Sequence, residues 1–252
     1  MNTFVIGDIH GAYKALKQCL ETSAFDYKKD TLIQLGDIVD GRRQVFECVE
    51  ELLKIENLIA IKGNHDDWFN DFIQTGFHPD QWEQGGAATA ASYLERIGKE
   101  HLIIPSGNGY KTALNPADIP PSHQKLFQKQ HLYYIDEFNN CFVHAGFDRA
   151  LPFKGQQPQT YFWDRQLWHS ALSYEAGGQN NVKGIFKMVT PFQSIFIGHT
   201  STMNWETDQP MHAVNIWNLD TGAGDTGRLT IMNVATLEFW QSDPVTSLYK
   251  SE

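Results

Sequence analysis

Cysteine is scarce in this chain of 252 residues, and long apolar runs are missing. The three cysteines, Cys19, Cys48 and Cys141, form no Cys-x-x-Cys pair, and an odd, sparse set indicates reduced thiols. The most apolar stretches, 58–61 and 194–198, are far shorter than the ~20 residues of a membrane-spanning helix. The first residues have no basic segment ahead of an apolar one, so no signal peptide is expected. These absences predict a cytoplasmic protein with no membrane partner.

Basic residues are outnumbered by acidic residues. The chain has 20 Lys and Arg and 30 Asp and Glu, which gives a formal net charge of −10. Affinity for duplex nucleic acid comes largely from Lys and Arg, so a duplex partner is not expected. A small phosphate substrate remains compatible with this charge, because bound metal ions can reverse the local field. No linker rich in proline, glycine or serine divides the chain. We therefore expect a single domain over residues 1–252.

The first third of the chain repeats an order of strand, polar loop and helix three times. Apolar strand-like runs at 3–6, 32–35 and 58–61 each lead into a polar loop, and helical spacing follows. This order predicts an α/β fold with its chemistry at the carboxyl ends of the strands. The remaining elements are predicted as helices over 80–94 and 122–130 and strands over 141–144, 194–197, 214–219, 229–233 and 236–241, with the last two forming a hairpin.

Side chains with metal-binding atoms follow the predicted strands. The predicted donors are three imidazoles, two carboxylates and one amide oxygen, from His10, His144, His199, Asp8, Asp37 and Asn64. Six donors are too many for one tetrahedral ion, and they suit two divalent ions that share a carboxylate. Mixed nitrogen and oxygen ligands favour Mn, Fe, Zn or Ni over Ca or Mg. The sequence therefore predicts a site for two divalent metal ions.

These motifs resemble the signature of the calcineurin-like metallophosphoesterases. The matching segments are Asp-x-His at 8–10, Gly-Asp-x-x-Asp at 36–40 and Gly-Asn-His-Asp at 63–66. Three later segments, at 144–146, 198–200 and 220–223, are similar to the bacterial branch of the phosphoprotein phosphatases, which includes diadenosine-tetraphosphate hydrolases. The segments 85–93 and 132–146 are also similar to that branch, so the resemblance runs almost end to end. It implies a four-layer α/β/β/α sandwich of two mixed sheets flanked by helices, with the site at one rim.

The resemblance also implies a role for each site residue. One ion would take Asp8, His10 and Asp37, and the other would take Asp37, Asn64, His144 and His199. His65 would protonate the leaving group, and Asp40 would orient His65. Arg165 would clamp the phosphate, which Asn64 would also contact. Asp66 is expected to be an ordinary charge at a helix N-terminus, and Trp163 is expected to be a packing residue.

One segment departs from the family pattern. The family reads Gly-Asp-x-Val-Asp-Arg-Gly, with the arginine on the phosphate, whereas this chain has Asp40-Gly41-Arg42-Arg43. The arginine is displaced by at least one position, which is ~100° around a helix. We expect Arg42 to contribute to phosphate binding. Alternatively, Arg43 reaches back, or Arg165 and the metals act without either neighbour.

Together the motifs predict a dinuclear-metal hydrolase that cleaves phosphomonoesters by in-line attack of a metal-bridging hydroxide. The first expectation is a serine/threonine-type protein phosphatase that acts on a phosphorylated protein or a small phosphate ester. The alternative is a nucleotide or dinucleoside-polyphosphate hydrolase. A third reading is a non-catalytic scaffold of the same fold, similar to the retromer subunit that has lost catalytic residues. The complete ligand set and the Asn64-His65 pair argue against this scaffold.

Overall fold

The computed structural model describes residues 1–107, 109–177 and 190–250. In these ranges two five-stranded sheets face each other, and helices cover their outer faces. The strands are β1 (Thr3–Ile6), β2 (Thr31–Gln34), β3 (Asn57–Ala60), β4 (Ile103–Ser106), β5 (Gly109–Thr112), β6 (Tyr133–Ile135), β7 (Cys141–Val143), β8 (Ile195–Ile197), β9 (Met211–Ala213), β10 (Ile216–Asn218), β11 (Thr230–Asn233) and β12 (Phe239–Gln241). The helices are α1 (Tyr13–Thr22), α2 (Val45–Leu52), α3 (Asn64–Thr75), α4 (Gly86–Glu95), α5 (Pro121–Gln128), α6 (Pro158–Trp163), α7 (Gln166–Ala176) and α8 (Val245–Leu248).

Both large sheets are mixed. The first has the strand order β12-β11-β1-β2-β3, in which neighbours among β1, β2 and β3 pair parallel, whereas the pairs β1–β11 and β11–β12 are antiparallel. The second has the order β6-β7-β8-β10-β9, with a parallel centre and antiparallel edges. Strands β4 and β5 form a separate hairpin. The predicted α/β class with mixed sheets flanked by helices is confirmed.

Successive side chains along each strand point to opposite faces of its sheet, so they pack into different layers of the core. On β1, Val5 packs between the two sheets, while Phe4 and Ile6 face the helices outside the first sheet. On β8, Phe196 packs between the sheets, and its neighbours Ile195 and Ile197 face the outer layer. This period of two is what a strand buried on both faces requires. The result is one apolar layer between the sheets and one outside each sheet.

Parallel strands bring the predicted ligands to one rim of the two packed sheets, where the carboxyl ends of these strands lie. Ile6 pairs with Gln34, and Gln34 pairs with Ala60, so β1, β2 and β3 end level with one another. In the facing sheet, β7 and β8 are also parallel neighbours. The loops after these five strand ends carry the predicted ligands Asp8, His10, Asp37, Asn64, His144 and His199.

Two of the predicted elements are wrong in detail. The helix expected over 80–94 is a 3-10 turn (Asp80–Glu83) followed by α4, and the two are separated at Gly85, whose φ of 93° is left-handed. Glycine adopts that conformation without the steric cost that other residues meet. Strands β11 and β12 do pair antiparallel, but residues 234–238 connect them rather than two residues. None of the described helices has the length and apolar character that a membrane crossing requires.

Candidate active site

Asp37 lies at the centre of the rim. Its Oδ2 is 3.7 Å from Nε2 of His10 and 3.5 Å from Nε2 of His144, and its Oδ1 accepts the backbone amide of His65 at 3.0 Å. Burial opposes ionisation, but the neighbouring imidazoles, His144 foremost, hold the pKa of the Asp37 carboxyl well below its usual range. A Cβ on Gly63 would stand 2.1 Å from Oδ1 of Asp37, so only glycine allows this approach. The carboxylate is therefore fixed and ionised between two histidine-bearing loops.

Two groups of donors share Asp37. His10, Asp37 and His65 each offer one atom within 4.8 Å of the others, and Asp37, His144 and His199 do the same. A carboxylate common to two clusters is the arrangement that a pair of neighbouring ions needs. The first cluster includes His65, which the sequence predicted as a proton donor, and does not include Asp8, which it predicted as a ligand.

Backbone carbonyls orient two of the imidazoles. Nδ1 of His10 lies 3.1 Å from the carbonyl of Val39, and Nδ1 of His144 lies 2.7 Å from the carbonyl of Leu35. A carbonyl can only accept, so Nδ1 donates in both rings, and Nε2 is the atom that faces Asp37. Burial lowers the pKa of His10 to about 4, which keeps its Nε2 lone pair free. Oδ1 of Asn64 lies 3.1 Å from Nε2 of His144 and completes this side of the cluster.

Among the buried side-chain atoms without a hydrogen-bond partner in the described part of the chain, two belong to predicted metal ligands: Oδ1 of Asp8 and Nε2 of His199. The other oxygen of Asp8 accepts the amide of His199 at 3.0 Å, so the two residues are already linked. Burial raises the pKa of Asp8 well above its ordinary value and lowers that of His199 to about 2. An unpartnered buried polar atom costs free energy. Oδ1 of Asp8 and the neutral Nε2 of His199 are free to bind a ligand, and they lie at a rim with other nitrogen and oxygen donors. Such a mixed set of donors fits divalent metal ions.

His65 and Asp40 form a hydrogen-bonded pair beside this cluster. Nδ1 of His65 lies 2.7 Å from Oδ2 of Asp40, which is fully buried. The other oxygen of Asp40 accepts hydrogen bonds from Oγ1 of Thr89 at 2.6 Å and Nε1 of Trp82 at 3.0 Å. Burial lowers the pKa of His65, but the charges of Asp37 and Asp40 raise it above its ordinary value. A histidine with a raised pKa, held by a fixed carboxylate, can act as a general acid.

The sequence prediction missed both residues that hold Asp40. Thr89 lies within the 85–93 segment that resembles the bacterial branch, and this was the signal available for it. Trp82 lies before that segment, and no resemblance to the bacterial branch pointed to it. Trp82 approaches Asp40 from the 3-10 turn before Gly85, and Thr89 approaches it from α4, which begins after Gly85. A Cβ on Gly85 would stand 3.0 Å from Cβ of Asp40, so this packing is close.

Asp66 lies in the first turn of α3, as expected, but its side chain also accepts hydrogen bonds from other segments. Its Oδ1 accepts the backbone amides of Ile38 at 2.9 Å and Val39 at 3.3 Å. Its Oδ2 accepts Nε2 of Gln130 at 2.7 Å and the amide of Gly63 at 3.4 Å. The side chain is fully buried. Asp66 therefore ties the loop that carries Asp37 and Asp40 to the first turn of α3, which carries Asn64 and His65.

The arginines predicted to bind phosphate are in different surroundings. Nη1 of Arg165 donates to Oγ1 of Thr200 at 2.9 Å and to the carbonyl of His199 at 3.2 Å, which places it beside the donor cluster. Arg42 donates from Nη2 to the carbonyl of Asp225 at 2.6 Å, and its guanidinium lies over the ring of Tyr249. Arg43 is exposed. Arg42 would have to leave Asp225 before this guanidinium nitrogen could bind phosphate.

Comparison with known proteins gives results in keeping with this geometry. Residues 1–203 match the calcineurin-like phosphoesterase family. A symmetrical bis(5'-nucleosyl)-tetraphosphatase of Coxiella burnetii is 37% identical over 96% of this chain and 92% of the relative. Serine/threonine-protein phosphatase 1 of Salmonella typhimurium is 34% identical over 92% of each chain. A crystal structure of a proposed diadenosine tetraphosphatase superposes with a TM-score of 0.65 at 16% identity, over 96% of this chain and 93% of that one, which shows a shared fold.

Proposed function

Since the chain belongs to the calcineurin-like phosphoesterase family and is a metal-dependent phosphoesterase, we propose that it hydrolyses phosphomonoesters at the rim around Asp37. The observation that carries this proposal is the pair of donor clusters that share Asp37, next to the buried His65–Asp40 pair. We also propose that residues 1–252 form one domain. Its three buried, unpaired cysteines suit a reducing cytoplasm.

In this proposal the site holds two divalent ions. Asp8, His10 and Asp37 would bind one ion, and Asp37, Asn64, His144 and His199 would bind the other. The mixed nitrogen and oxygen donors suit Mn, Fe, Zn or Ni. Ions bound there would lower the pKa of water enough to supply hydroxide near neutral pH and would offset phosphate charge.

The protein's own groups would bind the phosphate and move one proton. His65 would give the proton on Nε2 to the departing alkoxide oxygen, because its Nδ1 is held by Asp40. Arg165, beside His199, would bind the phosphate oxygens through its guanidinium fork, and Asn64 would contact them from α3. Arg42 would add a second cation only after it is released from Asp225.

For the substrate we propose a phosphorylated serine or threonine side chain, or a small phosphate ester, as the first candidate. The rim supports this candidate because His10 and His65 keep 16% and 18% of their side chains exposed, so a group presented by another protein can reach them. The similarity to serine/threonine-protein phosphatase 1 is in keeping with it. The second candidate is a nucleotide or dinucleoside polyphosphate. It is supported by the 37% identical tetraphosphatase and by an exposed tryptophan, Trp163, beside His199.

The test is an assay of the purified protein, stripped of metal and then loaded with Mn. The panel contains phosphoserine and phosphothreonine peptides, nucleotides and dinucleoside polyphosphates, and bound metal is measured by mass spectrometry. We expect hydrolysis that needs metal and about two ions per chain, with Asp37→Asn losing both. Full activity in demonstrably metal-free protein, or no hydrolysis of any ester by the loaded protein, would overturn the proposal.

A further inference from the structure

Aromatic rings surround the proposed site in an almost closed series. Neighbouring ring centroids are 4.7–5.6 Å apart along the order His10, His65, Trp68, Trp163, His199 and His144. Asp37 closes the series, because it lies within 3.7 Å of Nε2 of both His10 and His144. Four of the six rings are imidazoles with roles already proposed. The other two are indoles, and the proposed chemistry does not use them.

The indoles lie between the proposed proton donor and the proposed phosphate clamp. Trp68 meets His65 nearly edge to face, with centroids 4.7 Å apart, because it lies three residues further along α3. Trp163 contacts Trp68 on one side and His199 on the other, both at 5.6 Å. Arg165 follows Trp163 by two residues. A leaving group that takes a proton from His65 therefore departs beside this indole pair.

The two indoles differ in exposure. Trp68 is 7% exposed, whereas Trp163 is 41% exposed, so Trp163 is the indole that offers surface to a ligand. Trp163 packs against Trp68 and His199, in keeping with the expectation of a packing residue, but part of it also stays exposed. A single exposed apolar residue is ordinary on a protein surface, but this one borders a buried polar cluster.

The backbone holds Trp163 rigidly. It is the last residue of α6, and the preceding Tyr161 and Phe162 are buried. The next residue, Asp164, accepts the amide of Leu167 at 2.9 Å and so fixes the start of α7. An aromatic side chain fixed in this way loses little conformational freedom when a ligand stacks on it.

We propose that the exposed indole of Trp163 binds a planar aromatic group carried on the leaving-group side of the substrate. This inference rests on the proposed function, because the proton on His65 is what defines that side. Any base or aryl ring has a π face that can stack on an indole. The group has two possible sources, which are a nucleobase linked through a sugar and an aryl ring linked close to the ester oxygen. The consequence is a preference for such esters over saturated ones.

The test compares substrates that differ in the aromatic group but share a primary alkyl leaving oxygen. Adenosine 5'-monophosphate is paired with ribose 5-phosphate, and benzyl phosphate is paired with cyclohexylmethyl phosphate. The measured quantity is the ratio of kcat/KM within each pair, for Mn-loaded wild type, Trp163→Leu and Trp163→Phe. Trp205→Leu is the matched control, because the Trp205 indole packs against Trp168 and His169 instead. Quenching of tryptophan emission by adenosine 5'-monophosphate gives a readout that does not depend on turnover.

We expect wild type to favour the aromatic member of at least one pair, and Trp163→Leu to lower that ratio on the order of tenfold. Trp163→Phe should restore most of the ratio, and Trp205→Leu should leave it at the wild-type value. An effect in the nucleotide pair identifies a base, and an effect in the benzyl pair alone identifies an aryl ring. Equal ratios in wild type and Trp163→Leu for both pairs overturn the inference while leaving the proposed function intact. Failure of the proposed function shows itself differently, since no ester is then hydrolysed.

Discussion

Oδ2 of Asp40 lies 2.7 Å from Nδ1 of His65, at the end of a relay of hydrogen bonds that begins on another helix. Thr89 on α4 binds both the amide and Oδ1 of Asp40, at 2.9 Å and 2.6 Å. The φ of 67° at Asp40 is one that few residues adopt, and these contacts stabilise it. The ring of His65 is therefore set by contacts outside its own helix, α3, and its Nε2 is the nitrogen left for a substrate.

The first prediction concerns His65→Asn. We expect turnover to fall by about 10²–10⁴-fold, which is the usual contribution of general acid catalysis. The loss should be larger for alkyl phosphates than for p-nitrophenyl phosphate, whose phenolate departs with little protonation. Bound metal, measured in parallel, should stay near the wild-type content. An equal loss for both kinds of ester would remove His65 from the acid role.

The second prediction ranks the arginines. Arg165→Ala should raise KM and lower kcat together, and Arg165→Lys should not restore them, because lysine lacks the bidentate fork. Arg42→Ala should cost less, since its guanidinium is held by Asp225 and Tyr249. Arg43→Ala is the matched control and should behave as wild type. A structure with phosphate bound decides the matter, and the ranking fails if neither Arg42 nor Arg165 is within hydrogen-bond reach of the anion.

The third prediction concerns the buried Asp66. Asp66→Asn replaces one acceptor oxygen with an amide NH2 group, which cannot accept a hydrogen bond. Either the backbone amide of Ile38 or Nε2 of Gln130 therefore loses its acceptor. A buried group left without its partner costs about 1–3 kcal/mol. We expect a lower free energy of unfolding in denaturant and a weaker affinity for Mn. Asp67→Asn on the same helix, which removes the negative charge from a partly buried pair with Lys62, should change each by less.

The fourth prediction is a pH dependence of stability that arises on α2, at a residue outside the proposed metal site. Burial alone would raise the pKa of Glu51, but hydrogen bonds from Lys54, Tyr27 and Lys17 lower it below its ordinary value. The unfolded chain then binds the proton more readily than the folded one, so this stabilisation exists above the unfolded pKa of about 4.3 and is lost as the pH falls below it.

Glu51→Gln provides the test of that dependence. At pH 7 the substitution should lower the free energy of unfolding by about 1–3 kcal/mol, since hydrogen bonds to a charged group are lost. The difference between wild type and variant should shrink as the pH is lowered through the carboxylate range. Glu47→Gln, which removes only the partly exposed pair with Arg96, should change stability by less than about 1 kcal/mol. A difference that stays constant with pH would contradict the assignment.

The fifth prediction concerns metal and stability. Ions that bind only the folded chain raise its stability, by about 2.7 kcal/mol at a concentration one hundred times Kd. We therefore expect chelation to lower the melting temperature and Mn to restore it, without any substrate present. In Asp37→Asn the shift caused by Mn should largely disappear, whereas Asp67→Asn should keep it. An unchanged melting temperature of wild type after demonstrated metal removal would contradict the ligand assignment.

The sequence by itself determined the class of fold, the family and the place of the site. Each predicted ligand lies within four residues of the end of a strand, and strands are visible locally as short apolar runs, so the rim could be found without coordinates. Asp8, Asp37 and Asn64 converge because β1, β2 and β3 are parallel and end level. The roles of these ligands, of His65 and of the arginines stay predictions until the experiments above are done.

Only the tertiary structure decided which distant side chains complete the site. Thr89 and Asp40 are 49 residues apart, and their contact depends on the left-handed turn at Gly85 that the helical pattern of the sequence concealed. The exposure of Trp163 likewise depends on how α6 meets the loop of His199. Periodicity reports only the neighbours of a residue along its own element, whereas these contacts join elements far apart in the chain. Packing of whole elements fixes them, and no local pattern encodes it.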